Sequence, residues 1–234
     1  KAAFPLIQQQ FRERARQRTL LEATERQHVA MLASPMLTNG EISIMEVLGL
    51  WEQAQLLDPS YAWGWIEIAR LSRQSGDLER ALHAANDAVS KASNDRERSV
   101  ALNELGDVLV LVGDLGAARL QFKRSLEVAE QLARIASGGL QTQRDLGVSL
   151  DRLGDVLFMA GDLSGARQQF SRALTIRQQM AASPNAGSQE NRDVCVSLDR
   201  LGDVLVASRD LVGARALFEE SLRRREQLLQ KETT

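Results

Sequence analysis

The chain has 234 residues, and its 29 Lys and Arg nearly balance its 31 Asp and Glu, giving a formal net charge of -2 at pH 7. This balance provides no general attraction for nucleic acid or for an anionic membrane. Aromatic residues make up 4% of the chain and only 4 prolines occur, a composition that favours helices over sheets and low-complexity linkers. We therefore predict an all-α protein without nucleic-acid or membrane partners.

The cysteine content and the beginning of the chain indicate a reducing, cytoplasmic setting. The single cysteine, Cys195, cannot close an internal disulfide and is predicted to be a small packing residue. The sequence contains no long apolar run, and residues 1–10 lack the apolar centre of a signal peptide. Because the chain starts with Lys1 rather than Met, we expect it to be a piece of a longer protein.

The first helical pattern runs from Phe4 to Ser34-Pro35, with Phe4, Ile7 and Phe11 at three- and four-residue spacing. An arginine-rich tract over residues 12–18 lies within it. Such a tract is either a basic arm or a solvated helix face. Because glutamates dilute it, we interpret it as a solvated face.

Two shorter helical patterns follow. The first, Met45–Leu56, ends at Asp58-Pro59, where proline stops a helix, and the second covers Tyr61–Gln74. Gln55 stands where later repeats carry a leucine. Residues 1–60 are therefore predicted to hold an N-terminal helix and a degenerate first repeat.

One pattern then occurs three times, at residues 102–125, 150–173 and 198–221. The three copies lie 48 residues apart, as the positions of Leu105, Leu153 and Leu201 show. A two-helix unit repeated at a fixed period predicts an all-α α-solenoid of antiparallel helix pairs, in which each pair buries its apolar side against its neighbours. We predict one continuous solenoid domain, with repeats at 61–94, 95–140, 141–188 and 189–234 after the N-terminal residues 1–60.

A glycine-aspartate turn joins the two helices of a repeat. Gly161 is predicted to take the left-handed conformation that ends one helix, and Asp162 to cap the amides that begin the next. Arg209 replaces this glycine in the last repeat, so we expect that turn to be strained or reshaped. Within the helices, Gly154 is predicted to face Ala166, which would let the two axes approach closely.

These residues resemble the tetratricopeptide repeat family: a leucine and a small residue in the first helix, glycine at the turn, then alanine and phenylalanine in the second helix. The three 48-residue repeats match well, and residues 65–88 match moderately. The long period is similar to the extended repeats of kinesin light chains and of bacterial multidomain signalling proteins. The resemblance implies a right-handed superhelix whose concave side binds peptides or protein surfaces.

A second stripe on the first helices, about 140° round from the apolar stripe, is predicted to point away from the repeat core. In the resembled family this face lines the ligand groove. Its five aspartates and one asparagine predict a negative potential and a basic peptide as ligand. The residues predicted to line the groove are Trp63, Ile66, Arg70, Arg73, Asn103, Asp107, Val110, Asp151, Asp155, Phe158, Asp199, Asp203 and Val206.

A different interpretation of the same charges stays open. Arg152 and Arg200 directly follow Asp151 and Asp199, so ion pairs between adjacent repeats would use up the carboxylates. The two interpretations are compatible.

The two tryptophans beside Gly64 allow two arrangements. Either one of Trp63 and Trp65 packs inward while the other faces the groove, or both pack in the core. Only an outward tryptophan would serve as a binding anchor.

Catalysis has little support in the sequence. The two histidines, His28 and His83, each lie inside a helical pattern, and Cys195 is distant from both. Neither histidine stands at ligand spacing from the other histidine or from Cys195, and no phosphate-binding glycine loop occurs. We predict a protein that is not an enzyme and uses no cofactor or metal.

No further helix covers the last one, Leu211–Gln230, although the end of a solenoid needs a polar outer face. Another subunit or further chain is therefore expected to meet this helix, and a homo-oligomer is one of the partner predictions. The apolar residues concerned are Leu217, Leu222, Leu228 and Leu229.

The sequence thus predicts a protein-interaction module that serves as scaffold or sensor in a larger bacterial protein. An alternative is a regulatory arm that acts on an effector enzyme of the same chain, such as a protease or a nucleotide-hydrolysing domain. A nucleic-acid-binding helical repeat is disfavoured because it requires a basic groove.

Overall fold

The computed structural model describes residues 3–135, 139–184 and 186–232 of the protein. Regular structure in these ranges consists of α-helices and one 3-10 turn at Ser34–Leu37, with no strand, which confirms the all-α prediction. No helix in these ranges is long and apolar enough to cross a membrane. The helices are α1 (Ala3–Ala33), α2 (Ile44–Leu57), α3 (Ala62–Ser75), α4 (Leu78–Lys91), α5 (Asp95–Val112), α6 (Leu115–Ile135), α7 (Leu140–Met159), α8 (Leu163–Ala181), α9 (Ser188–Ala207) and α10 (Leu211–Glu232).

The chain divides into two compact units, Lys1–Val108 and Leu109–Thr234. The first contains α1 to α4 and most of α5, and the second contains the end of α5 and α6 to α10. Helices α2 to α4 have 14 residues each, whereas α5 to α10 have 18 to 22, as the longer period of the later repeats predicts. The division into five repeats along one continuous solenoid stays a prediction.

In the first unit, α1 packs on α2 through small residues near its C-terminal end. Ala23, Ala30 and Ala33 are buried there, opposite a helix that buries Val47, Leu48 and Trp51. Residues 8–22 are exposed along their whole length, including the arginine-rich tract. The solvated-face interpretation of that tract is therefore confirmed.

Gln55 has a structural role at the contact between α2 and α3. It is 3% exposed, and its Nε2 donates a hydrogen bond to the carbonyl of Tyr61, 3.0 Å away. The amide lies so close to α3 that a Cβ at Gly64 would stand 2.7 Å from Gln55 Cδ. The glutamine therefore joins the end of α2 to the start of α3, and the glycine provides the space for it.

In the second unit, one apolar core runs through successive helices. Phe122 of α6, Leu150 and Val156 of α7, Phe170 of α8 and Val204 of α9 are all buried in it. Each helix pair thus completes its interior with the first helix of the next pair, which is the packing principle of a solenoid. Val110, predicted to line the groove, instead packs against this core.

The turns between paired helices share one hydrogen-bond pattern. At Gly161, with φ of 80°, the amide of Asp162 donates to the carbonyl of Leu157, and Asp162 caps Gly165 of the next helix. Arg209 repeats this geometry with φ of 64°, and among the described residues it is the one non-glycine with positive φ. The predicted strain is confirmed, and such a residue costs about 1–2 kcal/mol relative to glycine.

The helical glycines make room for phenylalanine rings. A Cβ at Gly154 would lie 2.5 Å from Cε1 of Phe170, and a Cβ at Gly202 would lie at the same distance from Cε1 of Phe218. The three atoms nearest to a Cβ at Gly154 all belong to the buried ring of Phe170, and the expectation that Gly154 also faces Ala166 stays a prediction. The close approach of the helices is therefore set by a glycine and an aromatic ring.

We predict that Gly154→Ala lowers the free energy of unfolding by about 1–2 kcal/mol. The added methyl group overpacks against Phe170, and this cost exceeds the gain in helix propensity. Chemical denaturation monitored by circular dichroism measures the change. In the double variant Gly154→Ala with Phe170→Leu, the smaller side chain should relieve the clash and recover part of the loss that each change causes separately.

Gly116→Ala is the matched control, because its Cβ would meet only Asp114 Oδ1 at an ordinary distance of 3.6 Å. Its stability should be unchanged or higher by up to about 1 kcal/mol. A Gly154→Ala protein as stable as the Gly116→Ala protein would contradict the packing argument.

Candidate functional site

The predicted groove residues of the first unit lie on α3 and α5, and Trp63 is the second residue of α3. Trp63 is half-buried, and the guanidinium of Arg96 lies over its ring, 5.4 Å from the centroid. Beside it opens a cleft of about 490 Å³, named here the Trp63 cleft. Its lining residues are Met31, Ser34, Trp51, Tyr61, Trp63, Glu67 and Arg70.

Trp65 is directed to a different region from Trp63. Its indole Nε1 donates to the carbonyl of Pro59, 2.9 Å away, and its ring lines a separate cleft together with Leu56 and His83. Both tryptophans are half-buried and pack against the cluster of Ile66, Ala88 and Ala101, but of the two only Trp63 lines the Trp63 cleft. They reach different clefts because residues two apart on a helix lie about 200° round from each other.

Ion pairs between α3 and α5 occupy part of the predicted face. Arg73 Nε lies 2.8 Å from Glu104 Oε1 and Arg73 Nη2 lies 3.9 Å from Asp107, while Arg70 lies 2.5 Å from Glu67. Burial raises the pKa of Glu67, and the charge of Arg70 opposes that shift. The structure thus brings together the predicted Arg70, Arg73 and Asp107, and it adds Glu67 and Glu104.

Two predicted residues of this unit do not lie on an open face. Ile66 is fully buried in a cluster with Ala88 and Ala101, and Asn103 is 9% exposed. Both predictions are corrected, because α3 and α5 contact neighbouring helices on these sides.

In the second unit, ion pairs hold three of the four predicted aspartates, and one of the three, Asp151, is buried. Asp151 is 5% exposed and pairs with Arg177 of α8 and, at 3.3 Å, with Arg200 of α9. Arg200 also reaches Asp155 at 3.1 Å. Asp199 pairs with Arg225 of α10. The ion-pair interpretation is confirmed for Arg200, and Asp151 is corrected from groove residue to buried partner.

The remaining positions of the second unit's face differ in exposure. Phe158 packs against the core, whereas Asp203 and Val206 are exposed and Asp155 is partly exposed. Burial raises the pKa of Asp155, and Arg200 opposes the shift. This face is therefore less negative than its four predicted aspartates alone would make it.

The sequence analysis missed Arg177, Arg225 and Glu104 as partners. Arg177 and Arg225 are 48 residues apart, as are their partners Asp151 and Asp199, so the repeat period was the available signal. Glu104 stands 96 residues before Arg200, which is two repeat periods. Each pairs with the first helix of the preceding repeat: Glu104 with Arg73 of α3, and Arg200 with Asp151 of α7. The first unit thus has the same connection with the charges exchanged.

We predict that Arg177→Leu lowers the free energy of unfolding by about 2–3 kcal/mol, because it removes a partner of the buried Asp151 carboxylate. Arg225→Leu is the matched control at the equivalent repeat position, where the arginine side chain is 54% exposed. Its cost should stay below about 1 kcal/mol. Urea denaturation of both variants gives the comparison. Equal losses would contradict the assignment of a buried network at Asp151.

Comparison with known proteins supports the repeat interpretation. The tetratricopeptide repeat family model matches residues 194–233, which include most of α9 and α10. Comparison with curated proteins finds no match.

Solved structures resemble the chain over most of its length. BtubC (BKLC) from P. vanneervenii superposes with a TM-score of 0.68 at 17% identity, covering 92% of each chain. The tetratricopeptide-like repeats of a putative kinesin light chain from Podosopora anserina superpose at 0.69 with 15% identity, covering 89% of this chain and 98% of that one. YrrB, described as a tetratricopeptide protein with an unusual peptide-binding site, superposes at 0.53 with 14% identity, covering 88% and 89%.

These findings confirm the resemblance that the repeats indicated. The last helix pair matches the tetratricopeptide repeat family model, and the described helices resemble the all-α repeat fold of tetratricopeptide proteins, kinesin light chain repeats among them.

Proposed function

We propose that the protein is an interaction module that binds a peptide or protein surface on the first-helix faces of its repeats. The observation that carries this proposal is the Trp63 cleft, which is open and combines aromatic rings with charged side chains. Aromatic and arginine side chains at such clefts supply much of the binding energy in protein interfaces. The likeness to YrrB and to kinesin light chain repeats supports a binding rather than a catalytic role.

In the second unit, the proposed ligand surface consists of Asp155, Phe158 and Asp203, whereas Val206 lines the groove at α10. Asp203 is exposed, and Asp155 shares Arg200 with Asp151. The surface therefore keeps an acidic character that favours a basic ligand. A role of the chain as scaffold or sensor in a larger protein belongs to the same proposal.

Selection from a displayed random-peptide library tests the proposal. We expect the wild type to enrich peptides with basic residues, and Trp63→Ala to weaken binding of an enriched peptide at least about tenfold. Leu56→Ala is the control, because Leu56 is 83% exposed and lies outside the Trp63 cleft. The absence of any enriched peptide, or equal binding by both variants, would argue against the proposal.

We also propose that two copies associate through the open end at α10. A groove of about 370 Å³ lies there, lined by Val206, Leu211, Ala214, Phe218 and Leu222, with Arg215 and Glu219 at its edge. Leu211 is 64% exposed and Leu222 is 57% exposed. The corresponding helix of the preceding pair, α8, is contacted by α9. An arginine and a glutamate on one patch would complement a second copy across a two-fold axis.

The residues predicted for this contact fall into three groups. Leu222 and Leu229 are exposed, Leu217 is half-buried, and Leu228 is buried at 9% exposure. Leu228 is therefore corrected from a contact residue to part of the interior.

Light scattering at high micromolar concentration tests the association. We expect a dimer for the wild type and a monomer for Leu222→Glu, because a buried unpaired carboxylate is costly. Leu56→Glu, an exposed leucine of the first unit, should leave the dimer intact. A monomeric wild type would refute this contact.

A further inference from the structure

The Trp63 cleft has a composition that points to one kind of ligand group. Three aromatic side chains, Trp51, Tyr61 and Trp63, line it together with the thioether of Met31. Aromatic faces attract cations through their quadrupole, and this attraction grows when the cation is removed from water. The lining also contains a carboxylate, that of Glu67, which is 21% exposed.

The chain itself shows that Trp63 accepts a guanidinium. Arg96 lies over the ring at 5.4 Å, yet it is not among the residues that line the cleft. The cleft therefore remains open beside a ring that already makes one cation–π contact. The flat guanidinium is the side-chain cation best suited to stack on such a ring.

The lining of the cleft carries one carboxylate, that of Glu67, and one guanidinium, that of Arg70. Arg70 is held by Glu67 at 2.5 Å and lies 3.9 Å from Glu104, so its charge is shared between two carboxylates. The bond to Arg70 uses Oε1 of Glu67, and Oε2 makes no hydrogen bond within the described part of the chain. An entering donor thus finds an acceptor on the wall of the cleft.

The pKa of Tyr61 is affected by the negative charges near the cleft. Burial raises the pKa of Tyr61, and the charges of Glu97 and Glu67 raise it further. Both carboxylates therefore act on the aromatic side of the cleft. The same negative potential that destabilises the phenolate of Tyr61 would stabilise a cation bound in the cleft.

From these observations we infer that the Trp63 cleft binds the guanidinium of an arginine side chain presented by a partner. The guanidinium stacks against the half-buried rings of Trp63 and Tyr61 and donates to Oε2 of Glu67. An ammonium group lacks the planar surface for stacking, so arginine is preferred over lysine. The inference rests on the proposed function, since it names the ligand group that the interaction module recognises.

Nuclear magnetic resonance of the indole N–H groups tests this assignment directly. The probe is Nα-acetyl-arginine amide, with Nα-acetyl-citrulline amide as the neutral compound of the same shape and Nα-acetyl-lysine amide as the second cation. We expect the arginine probe to shift the Trp63 signal in a saturable manner, and citrulline and lysine probes to bind at least about tenfold more weakly. Equal binding by either comparison probe would overturn the inference.

Variants separate the cleft from the rest of the surface. Glu67→Gln keeps the shape and should weaken arginine binding several-fold, and Trp63→Leu should abolish it. Trp63→Phe keeps a ring if the leucine variant fails to fold, and it should retain weakened binding. Trp65→Phe is the control, because its indole is bonded to Pro59 outside the cleft, and it should bind as the wild type does. Unchanged binding by Glu67→Gln and Trp63→Phe would refute the site.

The results distinguish this inference from the broader proposal. Selected peptides that bind through Trp63 but contain no arginine would support the interaction module and overturn the arginine assignment. If the arginine probe binds saturably but the library yields no binding peptide, the arginine site in the Trp63 cleft is supported and the proposed peptide-binding function is contradicted.

Discussion

Mutual burial between neighbouring helix pairs is the constraint on which the second unit depends. Phe170 of α8 and Val204 of α9 belong to one core, so neither pair closes its interior alone. The same constraint explains why α10, which has no following helix in the described structure, leaves Leu211 and Leu222 exposed. The association proposed for this helix would therefore use the same kind of apolar surface that stacks the described helix pairs.

Buried ion pairs add specificity to this apolar stacking. Arg177 and Arg200 both reach Asp151, so the carboxylate is shared between the second helix of its own pair and the first helix of the next. Removing the partner of a buried charge is costly, whereas an apolar replacement of the whole pair often is not. Such a network favours one register of the helices, since a shifted register would leave a charge buried without its partner.

The first unit uses different residues for the same connections. Gln55 replaces an apolar side chain and bonds to the beginning of α3, and Glu104 takes the place that arginine holds in the later repeats. Glu67 and Arg70, three residues apart on α3, pair on the wall of the Trp63 cleft, and Arg70 also lies 3.9 Å from Glu104. One of these departures from the repeat pattern, Glu104, thus contacts a residue of the cleft that we propose as a binding site.

The sequence by itself determined the helices, the turns and the strained Arg209, because these depend on local periodicity and on the conformations that glycine and proline allow. The tertiary structure decided which charged side chains form ion pairs between helices and which tryptophan lines the Trp63 cleft. It also decided that Ile66 and Asp151 are buried. Asp151 meets partners 26 and 49 positions along the chain. A helical pattern shows which side of a helix is polar, but only the packing of other helices determines whether that side meets water or an arginine.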